Sequence, residues 1–127
     1  VTRGNGRPSG AGAGGAGGRR AGRQDPLRVA VVGCGYWGPK LARHFHALPD
    51  ARLVAVADID PERRAHMASL YPGLPVLADA EAVLRPDVDA VAVATPVSTH
   101  FALAMAALGS GKHVLVEKPL ARSQAEA

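Results

Sequence analysis

Leu27-Arg28-Val29-Ala30-Val31-Val32-Gly33-Cys34-Gly35-Tyr36-Trp37-Gly38 is the stretch that decides the fold of this chain. Leu27 to Val32 is apolar throughout except for Arg28, the composition of a strand buried on both faces of a parallel sheet. It runs directly into a G-x-G-x-x-G loop. Beyond the loop, Trp37 to Leu48 carries Leu41, Phe45 and Leu48 at spacings of four and three, which places them on one face of a helix. Between a strand and a helix the glycine pattern acquires a physical meaning. Gly33 permits the tight turn, Gly35 leaves room for a pyrophosphate to approach the backbone, and Gly38 lets the helix pack closely on the strand. Tyr36 and Trp37 stand at the same loop, and the helix start offers unpaired N–H groups with a partial positive charge.

Downstream, β-rich and helical runs alternate. Arg52 to Asp58 reads as the second strand, and Pro61, whose fixed φ suits a first helical turn, opens a helix to about Tyr71. Leu74 to Leu77 reads as a third strand, and Asp79 as the N-cap of a short helix through Leu84, stopped by Pro86. Val88 to Ala94 reads as a fourth strand, followed by an alanine-rich helix capped by Ser98 or Thr99 and ending near Gly109. His113 to Val116 reads as a fifth strand. Such alternation, with right-handed crossovers, implies a parallel sheet covered by helices on both faces.

Composition narrows the function. The 127 residues, 47% of them hydrophobic, suffice for one domain with a core. The formal charge of +4 resembles that of a nucleic-acid binder until it is divided along the chain. Residues 1 to 24 hold five arginines and no acid, whereas the remainder holds 10 basic and 11 acidic residues. The basicity therefore belongs to the tail, and specific nucleic-acid binding is not expected. Nine of the 15 glycines lie in Val1 to Gly22, so residues 1–25 are expected to form a disordered Gly/Arg-rich tail, and 26–127 the folded domain. The apolar runs are far short of the roughly 20 residues that span a bilayer. Arg19-Arg20 and the box Val31-Val32-Gly33-Cys34 are weak echoes of export signals, better read as tail and core strand. With a single cysteine and no metal-ligand spacing around it or around His44, His46, His66 and His113, no metal site is expected, and a reducing, cytoplasmic setting is. Cys34 itself reads as a small filler between glycines.

Three further sites fall at the carboxyl ends of strands. Asp58 lies twenty residues after Gly38, where an acid receives the hydroxyls of an adenosine ribose. A carboxylate there favours NAD over NADP, although Arg63 and Arg64 could soften the preference. Thr95 and Pro96 close the fourth strand at the reversal where a doubly wound sheet opens its crevice, with His100 one helical turn onward. Glu117-Lys118-Pro119 follows the fifth strand, and a lysine there is suited to hold a substrate hydroxyl or pass a proton.

Taken together, these residues resemble the Gfo/Idh/MocA oxidoreductases over Leu27 to about Arg122. The resemblance rests on the glycine loop, Asp58, Ala94-Thr95-Pro96 with His100, and Gly111-Lys112-His113-Val114-Leu115-Val116-Glu117-Lys118-Pro119. It implies an α/β, doubly wound Rossmann domain that binds NAD through Gly33, Gly35, Tyr36, Trp37, Gly38, Asp58, Thr95, Pro96, His100 and Glu117. It further implies hydride transfer to or from a sugar, cyclitol or sugar-nucleotide substrate, with Lys118 as the catalytic lysine. Family members continue into a C-terminal α/β domain that supplies most substrate contacts and through which they commonly oligomerise. Here Leu120 to Ala127 reads as the start of another helix, so the domain is expected to be truncated, to bind cofactor, and to turn over little substrate. Other readings are a stand-alone NAD-binding or regulatory module, a Rossmann-type domain for a methyl donor or flavin, and an interaction fragment with exposed faces.

Overall fold

The computed structural model describes residues 25–127, so the tail expected over 1–25 lies, Asp25 apart, outside the described residues. Five strands, β1 (Leu27–Val32), β2 (Ala51–Ala57), β3 (Val76–Leu77), β4 (Ala90–Val93) and β5 (His113–Val116), form one sheet in the order β3-β2-β1-β4-β5. Every pairing is parallel. The chain runs outward from β1 through β2 to β3, then returns to the other side of β1 for β4 and β5. The crevice of a doubly wound sheet therefore falls between the carboxyl ends of β1 and β4.

Alternation along the strands divides the core in two. Ala30, Val32, Ala55, Ala57, Val91 and Val93 face one way, where helix α3 (His100–Gly109) contributes Ala107 and Leu103. Val31, Leu53, Val56 and Ala92 face the other, beneath α1 (Gly38–Ala47) and α2 (Pro61–Leu70), which contribute Ala42 and Met67. The β1–β2 register slips between Val29 and Ala30, whose partners are Leu53 and Ala55. Val54 is the extra residue of this bulge, and it packs with Ala55 on the α3 side. From the bulge onward the alternation resumes, carrying Asp58 to the end of β2.

The parallel, doubly wound sheet and the placement of the main helices agree with the sequence reading, which left the strand order open, and four local expectations are corrected. Leu48 does not join the face of Leu41 and Phe45; α1 stops at Ala47 and Leu48 is extended, with half its surface exposed. Asp79 caps no helix through its side chain, and Ala80–Val83 forms a 3-10 turn, the form favoured by so short a segment. Thr99 precedes α3 without capping it through its side chain. Its Oγ1 instead lies 2.6 Å from Thr95 Oγ1 and 2.8 Å from the Pro96 carbonyl, within the turn that leads into the helix. Finally, Leu120 to Ala127 makes one hydrogen-bonded turn, in which the Ser123 carbonyl accepts from the Glu126 and Ala127 amides at 3.2 Å, rather than a helix. One turn does not repay the nucleation cost that several successive bonds would.

Candidate functional site

The glycine loop is built by steric necessity. Gly33 has φ +96°, in the left-handed region, and a Cβ there would lie 2.7 Å from the backbone of Ala94 and Thr95. At Gly38 a Cβ would collide with the Gly33 carbonyl, so only glycine lets α1 start this close to β1. No side chain caps the start of α1, its second residue is Pro39, and its first turn contains no acid. The N-terminal amides thus remain available to an anion. At Gly35 the atoms nearest to an added Cβ belong to the Arg63 guanidinium, the first at 3.4 Å, so among the described residues it is a flexible side chain rather than backbone that stands over the loop. This glycine cradle and uncapped helix start fit a dinucleotide pyrophosphate.

Asp58 is nearly buried and braces the loop. Its Oδ2 accepts from the Cys34 amide at 2.7 Å and its Oδ1 from the Asp60 amide at 2.8 Å. Each carboxylate oxygen retains a second lone pair, so the group can support the loop and still meet ribose hydroxyls. The two arginines behind it divide their roles. Arg64 donates to the carbonyls of Asp58 and Ile59, both at 3.0 Å, and ties the end of β2 to α2. Arg63 reaches over Gly35, with Nη1 3.8 Å from Asp58 Oδ2. Cys34 is buried, with its thiol pushed up to about 12 by desolvation and then by the neighbouring Asp58 charge. It stays protonated at neutral pH, as expected of a filler rather than a nucleophile.

A cavity of about 690 Å³ opens over the carboxyl ends of β1, β2 and β4, a size suited to a small-molecule ligand. Of the residues singled out from sequence, Gly33, Gly35, Tyr36, Trp37, Asp58, Thr95 and Pro96 line it. Tyr36 and Trp37 meet edge to face at 5.1 Å, and Lys40 Nζ sits 4.0 Å from the Tyr36 ring centroid. Gly38 lies beneath the loop rather than on the wall. The wall also includes Ile59, Ser98, Ala102 and Leu103, none of which was assigned to a ligand from sequence. Ile59 is 86% exposed directly after the buried Asp58. A large apolar residue just past a strand-end acid is the signal that could have marked it.

His100, Glu117 and Lys118 are placed differently. His100, expected at the cofactor, is 2% exposed and lies outside the cavity wall. Its Nε2 lies 2.8 Å from the Thr95 carbonyl and its Nδ1 2.8 Å from the Pro119 carbonyl. The ring thereby staples the loop after β4 to the loop after β5. Glu117 extends the sheet through its amide to the Val93 carbonyl at 2.9 Å. Neither it nor Lys118 touches the cavity wall, and Lys118 is exposed at the same carboxyl edge. Through His100, however, their loop is held in fixed relation to Thr95, which does line the cavity.

Residues 27–127 match a family model described as an oxidoreductase family with an NAD-binding Rossmann fold, GFO_IDH_MocA. The chain belongs to this family. It is 42% identical over 104 residues to an inositol 2-dehydrogenase of Rubrobacter xylanophilus, covering 80% of this chain and 30% of that protein. It is 36% identical over 106 residues to a UDP-N-acetylglucosamine 3-dehydrogenase of Acidithiobacillus ferrooxidans, covering 80% and 31%. Among solved structures, a scyllo-inositol dehydrogenase of Lactobacillus casei with bound NAD(H) and scyllo-inositol superimposes with a TM-score of 0.72. It shares 27% identity, over 80% of this chain and 31% of that one. The chain thus spans about 30% of the length of the relatives it matches, and the part it spans is an NAD-binding Rossmann domain.

Proposed function

We propose that this chain is the cofactor-holding part of a dehydrogenase that moves a hydride to or from a carbon of a cyclitol, sugar or sugar nucleotide. The observation that carries the reading is the cavity itself: Gly33 and Gly35 beside an uncapped helix start on one side, a strand-end carboxylate on the second, and Thr95 with Pro96 on the third. In this reading the amides around Gly35 and the start of α1 hold the pyrophosphate, while Asp58 accepts from the adenosine ribose. Tyr36 and Trp37 shield the loop side, and Thr95 and Pro96 face the nicotinamide half. The bound dinucleotide supplies the hydride carrier at its nicotinamide ring.

Lys118 is the proposed catalytic group, holding a substrate hydroxyl and exchanging its proton as the carbon is oxidised or reduced. Its loop is oriented by His100, and Glu117 sits between the lysine and the sheet. The names of the relatives, which act on inositol and a UDP-sugar, support the substrate class. Lys118 is exposed and lies outside the cavity wall. Orienting a substrate against a hydride carrier can supply about 7–11 kcal/mol, so little turnover is expected from this chain by itself. No helix among the described residues is long and apolar enough to cross a membrane.

Calorimetric titration with NADH tests the reading. Gly35→Val is the informative variant, because its side chain would fill the approach to the loop while leaving the Asp58 hydrogen bonds in place. Saturable binding by the native chain and at least tenfold weaker binding by the variant are expected. A native chain with an intact melting transition and no NADH binding would refute the assignment.

A further inference from the structure

We propose that the amino edge of the sheet carries a second binding site, centred on Arg52, for a small phosphomonoester that bears a ring. The site is independent of the dinucleotide reading and shares no residue with the cavity at the carboxyl edge. A separate cavity of about 590 Å³ opens beside the starts of β1 and β2 and the loop between α2 and β3, a size suited to a small molecule. Three arginines line it, Arg28, Arg52 and Arg85, against one carboxylate, Asp87. Arg28 and Arg52 are register partners in the parallel β1–β2 pair, so their side chains leave the same face of the sheet side by side. Like charges in that relation destabilise a sheet, and an anion between them removes the conflict.

Two of the three arginines have counter-charges of their own. Arg28 donates from Nε and Nη2 to the Asp89 carboxylate, both at 3.0 Å. Arg85 is held in the same way by Asp87, at 2.8 and 2.7 Å. The segment that bears Arg85 is tied down by Lys112, whose Nζ donates to the Arg85 and Val88 carbonyls at 2.6 and 2.7 Å. Arg52 is different: among the described residues its exposed side chain makes no hydrogen bond and no ion pair. One guanidinium is thus wholly unspent, and the bridges of the other two use only Nε and Nη2, which leaves each an Nη1 and fixes its plane in advance. A phosphate ester presents three acceptor oxygens, one for each guanidinium, where a carboxylate presents two. The rest of the wall suits a ring. Tyr71 and His46 meet there with 5.0 Å between centroids, beside Leu70 and Leu74.

The test follows the backbone amides of the full, isotope-labelled chain by NMR during titration with phenyl phosphate, with inorganic phosphate, and with sodium chloride at equal ionic strength. Phenyl phosphate is expected to shift the Arg52 and Gly73 amides saturably, and inorganic phosphate to shift the same amides with at least fivefold weaker affinity. Arg52→Gln should weaken phenyl phosphate at least tenfold, and Arg52→Lys, which keeps the charge and loses the fork, should fall between. In phosphate-free buffer Arg52→Gln should melt no lower than the native chain, because it removes one of two like charges. Shifts confined to Gly33 to Gly38 would place the anion at the glycine loop and overturn the proposal. So would shifts that sodium chloride reproduces, equal affinities for the two phosphates, or native affinity in Arg52→Gln. A lower melting temperature of that variant would show the arginine already partnered, and would overturn it too.

Discussion

Replacing Asp58 by alanine should loosen the glycine loop before any ligand is added, by an amount that can be worked from the structure. The carboxylate accepts from the buried Cys34 amide at 2.7 Å and from the partly buried Asp60 amide at 2.8 Å. In Asp58→Ala the Cys34 N–H is left unpaired in the core, which costs about 1–3 kcal/mol. The Asp60 N–H can turn to water, so its loss is nearer to about 1 kcal/mol. Loss of the weak pairing with Arg63 adds little, since that arginine is half exposed. The sum is about 3 kcal/mol, a large share of the roughly 5–15 kcal/mol that stabilises an ordinary domain. Asp58→Asn keeps one carbonyl for the Cys34 amide but presents an NH2 to the Asp60 amide, and should lose about half as much. Urea unfolding followed by circular dichroism without nucleotide measures both. A loss below about 0.5 kcal/mol in Asp58→Ala, or an asparagine variant less stable than the alanine one, would show that the carboxylate is not bracing the loop.

Cys34 should be inert to thiol reagents at pH 8 in the folded chain and react on unfolding, because burial holds its thiol at about 12 against 9.0 for an ordinary one. Since the folded value is raised, its contribution to stability is complete below pH 9 and falls through the window from 9 to about 12, by about 1.4 kcal/mol per unit. A Cys34→Ala chain should lack that decline, and an identical alkaline profile in both chains would exclude this cause. His100→Ala removes a buried ring and both of its contacts with the Thr95 and Pro119 carbonyls. A loss of about 2–4 kcal/mol is expected, with faster hydrogen exchange at the Thr95 and Glu117 amides. Exchange unchanged at Glu117 would show that the ring does not couple the two loops.

Much of this architecture is legible along the chain because it depends on short-range periodicity. Val29 to Val32 cannot be exposed on either face, the helical spacing of Leu41 and Phe45 supplies cover, and a glycine triplet between strand and helix has few other uses. Those features also placed Gly33, Gly35, Asp58, Thr95 and Pro96 at one edge of the sheet, where the cavity lies. Short or terminal segments were less legible. Ala80–Val83 and the turn after Leu120 hold too few residues for propensity to outweigh the cost of nucleation.

Spacing determined which residues reach the carboxyl edge of the sheet; tertiary structure alone decided what each does there. Arg63 and Arg64 are adjacent and chemically identical, yet one is consumed by the end of β2 and the other is left over the glycine loop. His100 was marked as a residue of the site, but its ring turns inward between two loops, joining the Thr95 carbonyl to that of Pro119, which lies nineteen residues beyond the histidine. The physical reason is common to both cases. Backbone periodicity follows from local sterics and the pattern of apolar residues, whereas the direction of a polar side chain follows from which unpaired carbonyls and amides the packed elements bring within about 3 Å of it.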